Sequence, residues 1–302
     1  MNQAETLEKM MARTPSAAAQ GLAVYDSLGT NMSQPRVICV TSGKGGVGKT
    51  NVTSNLAYSL VKSGKKVLIL DADLNLANVD VLLGLTPKFN LQHVFSGEKT
   101  LPEILVKGPG GLRILPGSSG ILELADLTES QKLYFLSEME SLGRKIDILL
   151  IDTAAGINNN VVYFNLASQE RIVLLTPEPT SLTDAYALIK VLSGQYGVKR
   201  FRVLVNLAYS EKEALSVFKK LSVVADRFLS TLSLDFLGYI PYDDKLPKAV
   251  RGQRLVADLY PDSKSSQMFV KLAKRLLREE PEVQTDGNIK FFWQELMHFD
   301  RQ

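Results

Sequence analysis

The chain has 302 residues, 45% of them hydrophobic, a formal net charge of +3, two histidines and a single cysteine. That length and apolar content bury a large single α/β core without requiring two domains, and so small a charge does not by itself imply nucleic acid. The lone Cys39 excludes an intrachain disulfide and a Cys/His cluster for zinc or iron–sulfur; with no secretory pattern and no run of roughly 20 apolar residues, the expected compartment is a reducing cytoplasm.

Residues 1–35 are polar and rich in Ala, Ser and Gln, with one short amphipathic helical pattern at Ala4, Leu7 and Met11. They read as a segment appended ahead of the core, which spans residues 36–279. The core opens on an apolar β-branched run, 37–41, that contains Cys39. Next comes Gly43-Lys44-Gly45-Gly46-Val47-Gly48-Lys49-Thr50, and Asn51 begins a helical pattern over 51–62. Strand, Gly-x-x-x-x-Gly-Lys-Thr, helix is the arrangement of a phosphate-binding loop, in which backbone N–H groups and a helix N-terminus cradle phosphate oxygens. Lys49 then reaches the β- and γ-phosphates, and the Thr50 hydroxyl sits on Mg²⁺.

A second strand, 67–71, ends in Asp71-Ala72-Asp73. Carboxylates two residues apart at a strand end point the same way, which suits charge beside a phosphate–Mg²⁺ centre and equally suits a capped turn. Gly108-Pro109-Gly110-Gly111 marks a tight loop before a strand at 112–115, and 129–142 has a helical pattern. The apolar run 146–152 closes on Asp152, with Gly156 four residues on. This is a Walker B arrangement, whose carboxylate bonds a metal-bound water or the Thr50 hydroxyl. Strands at 171–176, 201–206 and 236–240 alternate with helices at 181–193, 211–229 and 265–278. Asn206 and Pro241 close the last two strands; on its own, Asn206 reads as a turn residue. The alternation predicts an α/β fold, a mostly parallel twisted sheet with helices on both faces and ligands at the strands' carboxyl ends.

Residues 280–288 read as a linker to a final amphipathic helix, 289–302. There Ile289, Phe292, Trp293, Leu296, Met297 and Phe299 share one arc. At roughly 20 Å such a helix is too short to span a bilayer but suits its interface. Asp300 within the arc and the absence of net positive charge weigh against lipid. Lys271, Lys274, Arg275 and Arg278 either compensate or form an ordinary solvated face. Packing of the tail on its own core stands as the other reading.

The string Lys-Gly-Gly-Val-Gly-Lys-Thr, with its early Lys44, resembles the deviant Walker A motif of the MinD/ParA ATPases. The resemblance implies ATP and Mg²⁺ as ligands and a homodimer formed on ATP, with Lys44 reaching the partner's phosphates. It implies catalytic roles for Lys44, Lys49 and Asp73, the last aligning the attacking water, and metal support from Thr50, Asp71 and Asp152. Nucleotide contacts fall to Gly43, Gly45, Gly46, Val47, Gly48, Thr50 and Asn51, to Gly156 at the γ-phosphate, and to Asn206 and Pro241 at adenine. Asn75 and Ala154 depart from the MinD pattern. The missing Cys/His cluster argues against the nitrogenase-iron-protein and cluster-scaffold branches.

Gln3, Ala4 and Leu7 resemble the N-terminal element of the FlhG/FleN flagellar-number regulators, although Asn2 and Glu8 replace its acidic and basic ends. That resemblance implies contact with an FlhF-type GTPase through residues 1–13, and flagellar basal-body or transcription-factor partners. Together these readings predict a cytoplasmic ATPase, peripheral to the inner membrane through 289–302, that regulates flagellar number or placement, with DNA not expected as a partner. The rivals are a division-site MinD and a ParA-like DNA-partitioning protein; no motif supports a metabolic kinase.

Overall fold

The computed structural model describes residues 35–73, 78–116, 134, 137–139, 141–229 and 232–279. The N-terminal element at residues 1–13, the linker 280–288, the tail 289–302 and Asn75 lie outside the described residues, as does most of the 129–142 pattern.

β1 (Arg36–Ser42) runs through the glycine-rich loop into α1 (Lys49–Lys62) and then β2 (Val67–Ala72). Three short helices follow, α2 (Val79–Leu82), α3 (Leu91–Phe95) and α4 (Leu101–Ile104), and then β3 (Val106–Lys107) and β4 (Arg113–Leu115). The rest alternates: β5 (Ile148–Ala155), α5 (Asn159–Ala167), β6 (Glu170–Leu175), α6 (Pro179–Gly194), β7 (Arg200–Ala208), α7 (Glu211–Phe228) and β8 (Ser233–Pro241). The chain continues through α8 (Lys245–Arg251), α9 (Val256–Leu259) and α10 (Lys264–Arg278). Each strand expected from the sequence is present. β3 is new, and two residues are too few to carry a periodic signal.

The eight strands order as β3-β4-β2-β5-β1-β6-β7-β8, with only the β3–β4 pair antiparallel. Apolar side chains alternate between two covered faces, which is why the strand sequences read as continuous apolar runs. Val37, Cys39, Leu68, Leu70, Leu149 and Ile151 pack in one core. Ile38, Val40, Ile69 and Leu150 face the other, against Leu56 and Leu60 of α1 and Phe269, Leu272 and Leu276 of α10. In α10 the burial of those residues leaves Lys271, Lys274, Arg275 and Arg278 exposed on the opposite side. Burial pushes the Cys39 thiol up to about 12.

Two features of this topology position the site. The β1–β2 crossover passes over β5, so β5 lies between β1 and β2, and the order reverses about β1. Register places Asp152 beside both Val40 and Asp71. At the opposite end of the sheet, Glu170 (7% exposed) pairs with Arg36 and with Arg202 (Oε2 to Nε 3.2 Å), and Arg202 pairs with Glu279 (2.6 Å). Arg36 also donates to the Leu276 carbonyl. The first residue of β1 and the chain just past α10 are thereby tied together where the strands begin.

Candidate functional site

The loop after β1 surrounds a cavity of about 470 Å³ lined by Lys44 to Asn51, Asp73, Asn78, Val81, Leu82, Ala155 and Val250. Gly46 (φ +78) and Gly48 (φ +89) adopt left-handed backbone that other residues rarely bear. A Cβ at Gly46 would meet nothing within 4 Å, so this stretch of backbone is open to a ligand. Gly43 has a different reason to be glycine. A Cβ there would fall 2.0 Å from the Asp184 carbonyl oxygen, so its place is close packing on α6 rather than the cavity wall.

Asp152 is fully buried on β5. Its Oδ1 accepts from the Thr53 hydroxyl (3.2 Å), while Oδ2 has no partner. Burial raises its pKa, and the Lys49 charge and hydrogen bonds from Thr50 and Thr53 oppose that rise. A buried carboxylate oxygen without a donor costs free energy unless something fills the position. Beside the Thr50 hydroxyl, the chemistry that fits is a water held by Mg²⁺.

Asp71 is engaged by the chain itself. Its Oδ1 accepts from the Asp73 N–H (3.2 Å), and its Oδ2 from the N–H groups of Asn78 (2.9 Å) and Val79 (3.0 Å). Burial first, and then the Asp152 charge, push its pKa up to about 7, with the three N–H groups pulling the other way. Asp71 thus holds the ends of the segment between β2 and α2. Asp73 lines the cavity, its carboxylate taking a hydrogen bond from the Asn78 side chain (3.2 Å). Gly156 (φ +92) donates its N–H to the Ser42 carbonyl (3.0 Å), so in this arrangement that group is spent on the loop.

Asn206 is buried at the end of β7. Its Nδ2 donates to the Val47 carbonyl (2.8 Å), and its Oδ1 has no partner. A Cβ on Gly48 would come within 2.5 Å of that nitrogen. The next residue, Leu207, is strained at φ +59, and the loop after Pro241 ties back through the Tyr242 N–H to the Ala208 carbonyl (2.9 Å). An acceptor left open beside the loop fits the amino group of adenine; the oxygen at the same place in guanine would repel it.

Lys44 lines the cavity, but its ammonium is already engaged. It bonds Glu178 (2.7 Å) and Thr180 (2.8 Å) at the start of α6. Thr53, Asn78, Glu178, Thr180 and Val250 were not apparent as site residues from the sequence. Two of them carried a signal there: Asn78 lies in the Asp-x-Asp-Leu-x-Leu-x-Asn-Val-Asp string that begins at Asp71, and Thr53 lies one helical turn beyond Lys49, whose carbonyl it bonds (3.0 Å). A larger cavity, about 640 Å³, opens beside Tyr242 to Lys245 and Leu259 to Lys264. Its buried carboxylate, Asp243, is satisfied by Ser265 and the Lys245 N–H. It leaves no unmet polar group comparable to those of the phosphate loop.

Residues 35–197 match a family model described as an AAA domain. The chain is 46% identical over 267 residues to the antiactivator FleN of Pseudomonas aeruginosa, covering 88% of this chain and 95% of that one. It is 33% identical to the flagellum site-determining protein YlxH of Helicobacter pylori, covering 89% and 92%. Among solved structures it is similar to the septum site-determining protein MinD of Pyrococcus horikoshii complexed with Mg-ADP. There the TM-score is 0.62 at 26% identity, over 80% of this chain and 96% of that one.

Proposed function

The chain belongs to the MinD/ParA-type P-loop ATPases, close to the FlhG/FleN regulators, and from that membership we propose that it is an ATP-driven switch setting flagellar number or placement. The observation that carries the nucleotide half is two unpartnered buried oxygens near the phosphate loop, Asp152 Oδ2 on β5 and Asn206 Oδ1 on β7, strands that lie on either side of β1. One matches a metal-bound water and the other an adenine amino group. The flagellar half is supported by likeness to FleN along nearly the whole chain.

Lys49 and the N–H groups of Gly45 to Thr50 bind the phosphates, and Thr50 with Asp152 holds Mg²⁺. Bound Mg²⁺ supplies charge neutralisation at the phosphate oxygens. Asp73, poised on the segment stapled by Asp71, orients the attacking water by accepting a hydrogen bond from it. Lys44 leaves Glu178 and Thr180 to reach the partner's phosphates, which makes dimerisation and ATP binding one event. Hydrolysis then releases the two subunits.

Two finer readings follow. Residues 289–302 attach the dimer to the cytoplasmic face of the inner membrane, two weak anchors acting together. The surface beside Glu279 supports this: Lys62 ends α1 and Lys65 and Lys66 follow it, Lys274 and Arg278 lie towards the end of α10, and all five are exposed. Residues 1–13 stimulate an FlhF-type GTPase. The rival roles are a division-site MinD and a DNA-partitioning ParA.

Deleting the gene tests the reading. Altered flagellar counts with normal division are expected; division defects with normal flagella would favour MinD, and salt-sensitive DNA binding without vesicle binding would favour ParA. In the purified protein, Asp73→Ala should accumulate an ATP-bound dimer by light scattering. A variant that turns over ATP at the parental rate removes Asp73 from the mechanism.

A further inference from the structure

α8 ends in a Schellman turn. The Arg254 N–H donates to the Ala249 carbonyl (3.0 Å) and the Gln253 N–H to the Val250 carbonyl (2.9 Å). This turn needs a left-handed residue just past the helix cap, a place ordinarily taken by glycine. A glycine is present, one position early: Gly252 has an ordinary φ of −84, and Gln253 takes φ +50. Reversing the order of these two residues would relieve the strain, so the glutamine side chain must gain something where it is.

What it gains is the end of α2. Gln253 Nε2 donates to the Val81 carbonyl (2.9 Å), 172 residues away. Its Cβ and Oε1 each lie 3.3 Å from where a Cβ on Gly84 would stand, so the stem covers the turn that closes α2. The start of the same short helix hangs on Asp71, through the Val79 N–H, and Asn78 just before it holds the Asp73 carboxylate. Val250, three residues ahead of Gln253, lines the nucleotide cavity with Val81 and Leu82. α8 itself starts four residues after Pro241 on the base side.

We propose that Gln253 is a positioning residue for ATP hydrolysis: its amide clasps α2 and so holds Asn78 and Asp73 at the phosphate end of the cavity. Through α8 the clasp also joins the base-side loop to the segment that carries Asp73. The inference rests on the ATPase reading above.

Gln253→Gly tests it, because glycine keeps the left-handed turn and loses the clasp together with the stem that covers Gly84. The melting temperature should equal or exceed the parent's. The kcat for ATP should fall about fivefold, the loss expected for one hydrogen bond, with KM changed by less than about twofold. Hydrogen exchange at residues 78–85 should quicken while α10 stays as protected as before. Gln253→Glu, which keeps the length but cannot donate, should show the same fall in kcat. An unchanged kcat in both variants overturns the proposal whatever the melting temperature does. If the parent protein hydrolyses no ATP, the ATPase reading fails by itself, and exchange at residues 78–85 alone decides whether the clasp exists.

Discussion

Asn206 spends its two polar atoms differently: its amide nitrogen fixes the phosphate loop at Val47, and its oxygen has no partner, the position proposed above for the base. Asn206→Ala should therefore weaken ATP binding about tenfold, since one good hydrogen bond and the loop's own brace are lost together. The preference for ATP over GTP should shrink with it, as read by competition with a fluorescent nucleotide. Equal loss for both nucleotides would confine Asn206 to bracing the loop. Residue type alone did not make this legible, because an asparagine at a strand end serves turns as readily as bases, and only the family resemblance pointed to adenine. That Lys49, Thr50 and Asp152 come together was legible, because the loop's spacing and strand–loop–helix setting are specific and an apolar run ending in Asp gains meaning beside such a loop.

Elements here are held as much by polar staples at their ends as by propensity. Asp71 staples the start of α2, Ser263 caps α10, and Asp243 joins α8 to α10 by accepting from the N–H groups of Lys245 (3.0 Å) and Ser265 (2.9 Å) and from the Ser265 hydroxyl (2.7 Å). For Asp243, burial works to raise the pKa, but hydrogen bonds from Ser265, Lys245 and Ser263 outweigh it and hold the value below the ordinary one. A carboxylate depressed in the folded state stabilises above its unfolded pKa, and that contribution disappears as pH falls through the folded value. Asp243→Asn should cost about 1–3 kcal/mol at pH 7. The gap from the parent should close as pH drops below about 4, as followed by urea titration; a gap independent of pH would mean shape rather than charge is lost. The long helices were readable from their 3.6-residue periodicity. α2, α8 and α9 were not, because one or two turns give no period and their existence depends on these distant staples.

On the scale of the whole molecule, function is polar. Nucleotide chemistry sits at the carboxyl ends of β1, β2 and β5, while the described chain begins and ends at the opposite pole, joined by Arg36, Glu170, Arg202 and Glu279. Exposed cations gather where α1 and α10 finish, and each should contribute about 1 kcal/mol near an anionic leaflet at low salt. Reversing Lys65, Lys66, Lys274 and Arg278 to glutamate should reduce binding to phosphatidylglycerol vesicles at least tenfold in the ATP state. Any binding to neutral vesicles should be little affected. If the quadruple variant sediments with anionic vesicles as the parent does, the basic corner is only a solvated face and lipid contact belongs to the tail alone.

The sequence by itself determined the chemistry of the loop, the sheet's alternating architecture and the family, because glycine spacing, β-branched runs and helical periods are local and each has few physical solutions. Only the tertiary structure decided which atoms remain unmet. That Gly43 serves α6, that Asp71 is consumed by the N–H groups of Asp73, Asn78 and Val79, that Lys44 rests on Glu178 and that Gln253 accepts a strained turn to hold Val81 all depend on contacts made in the folded chain, the longest between residues 172 positions apart. No local pattern encodes such pairings. They arise when crossovers bring β5 between β1 and β2 and lay α8 against α2.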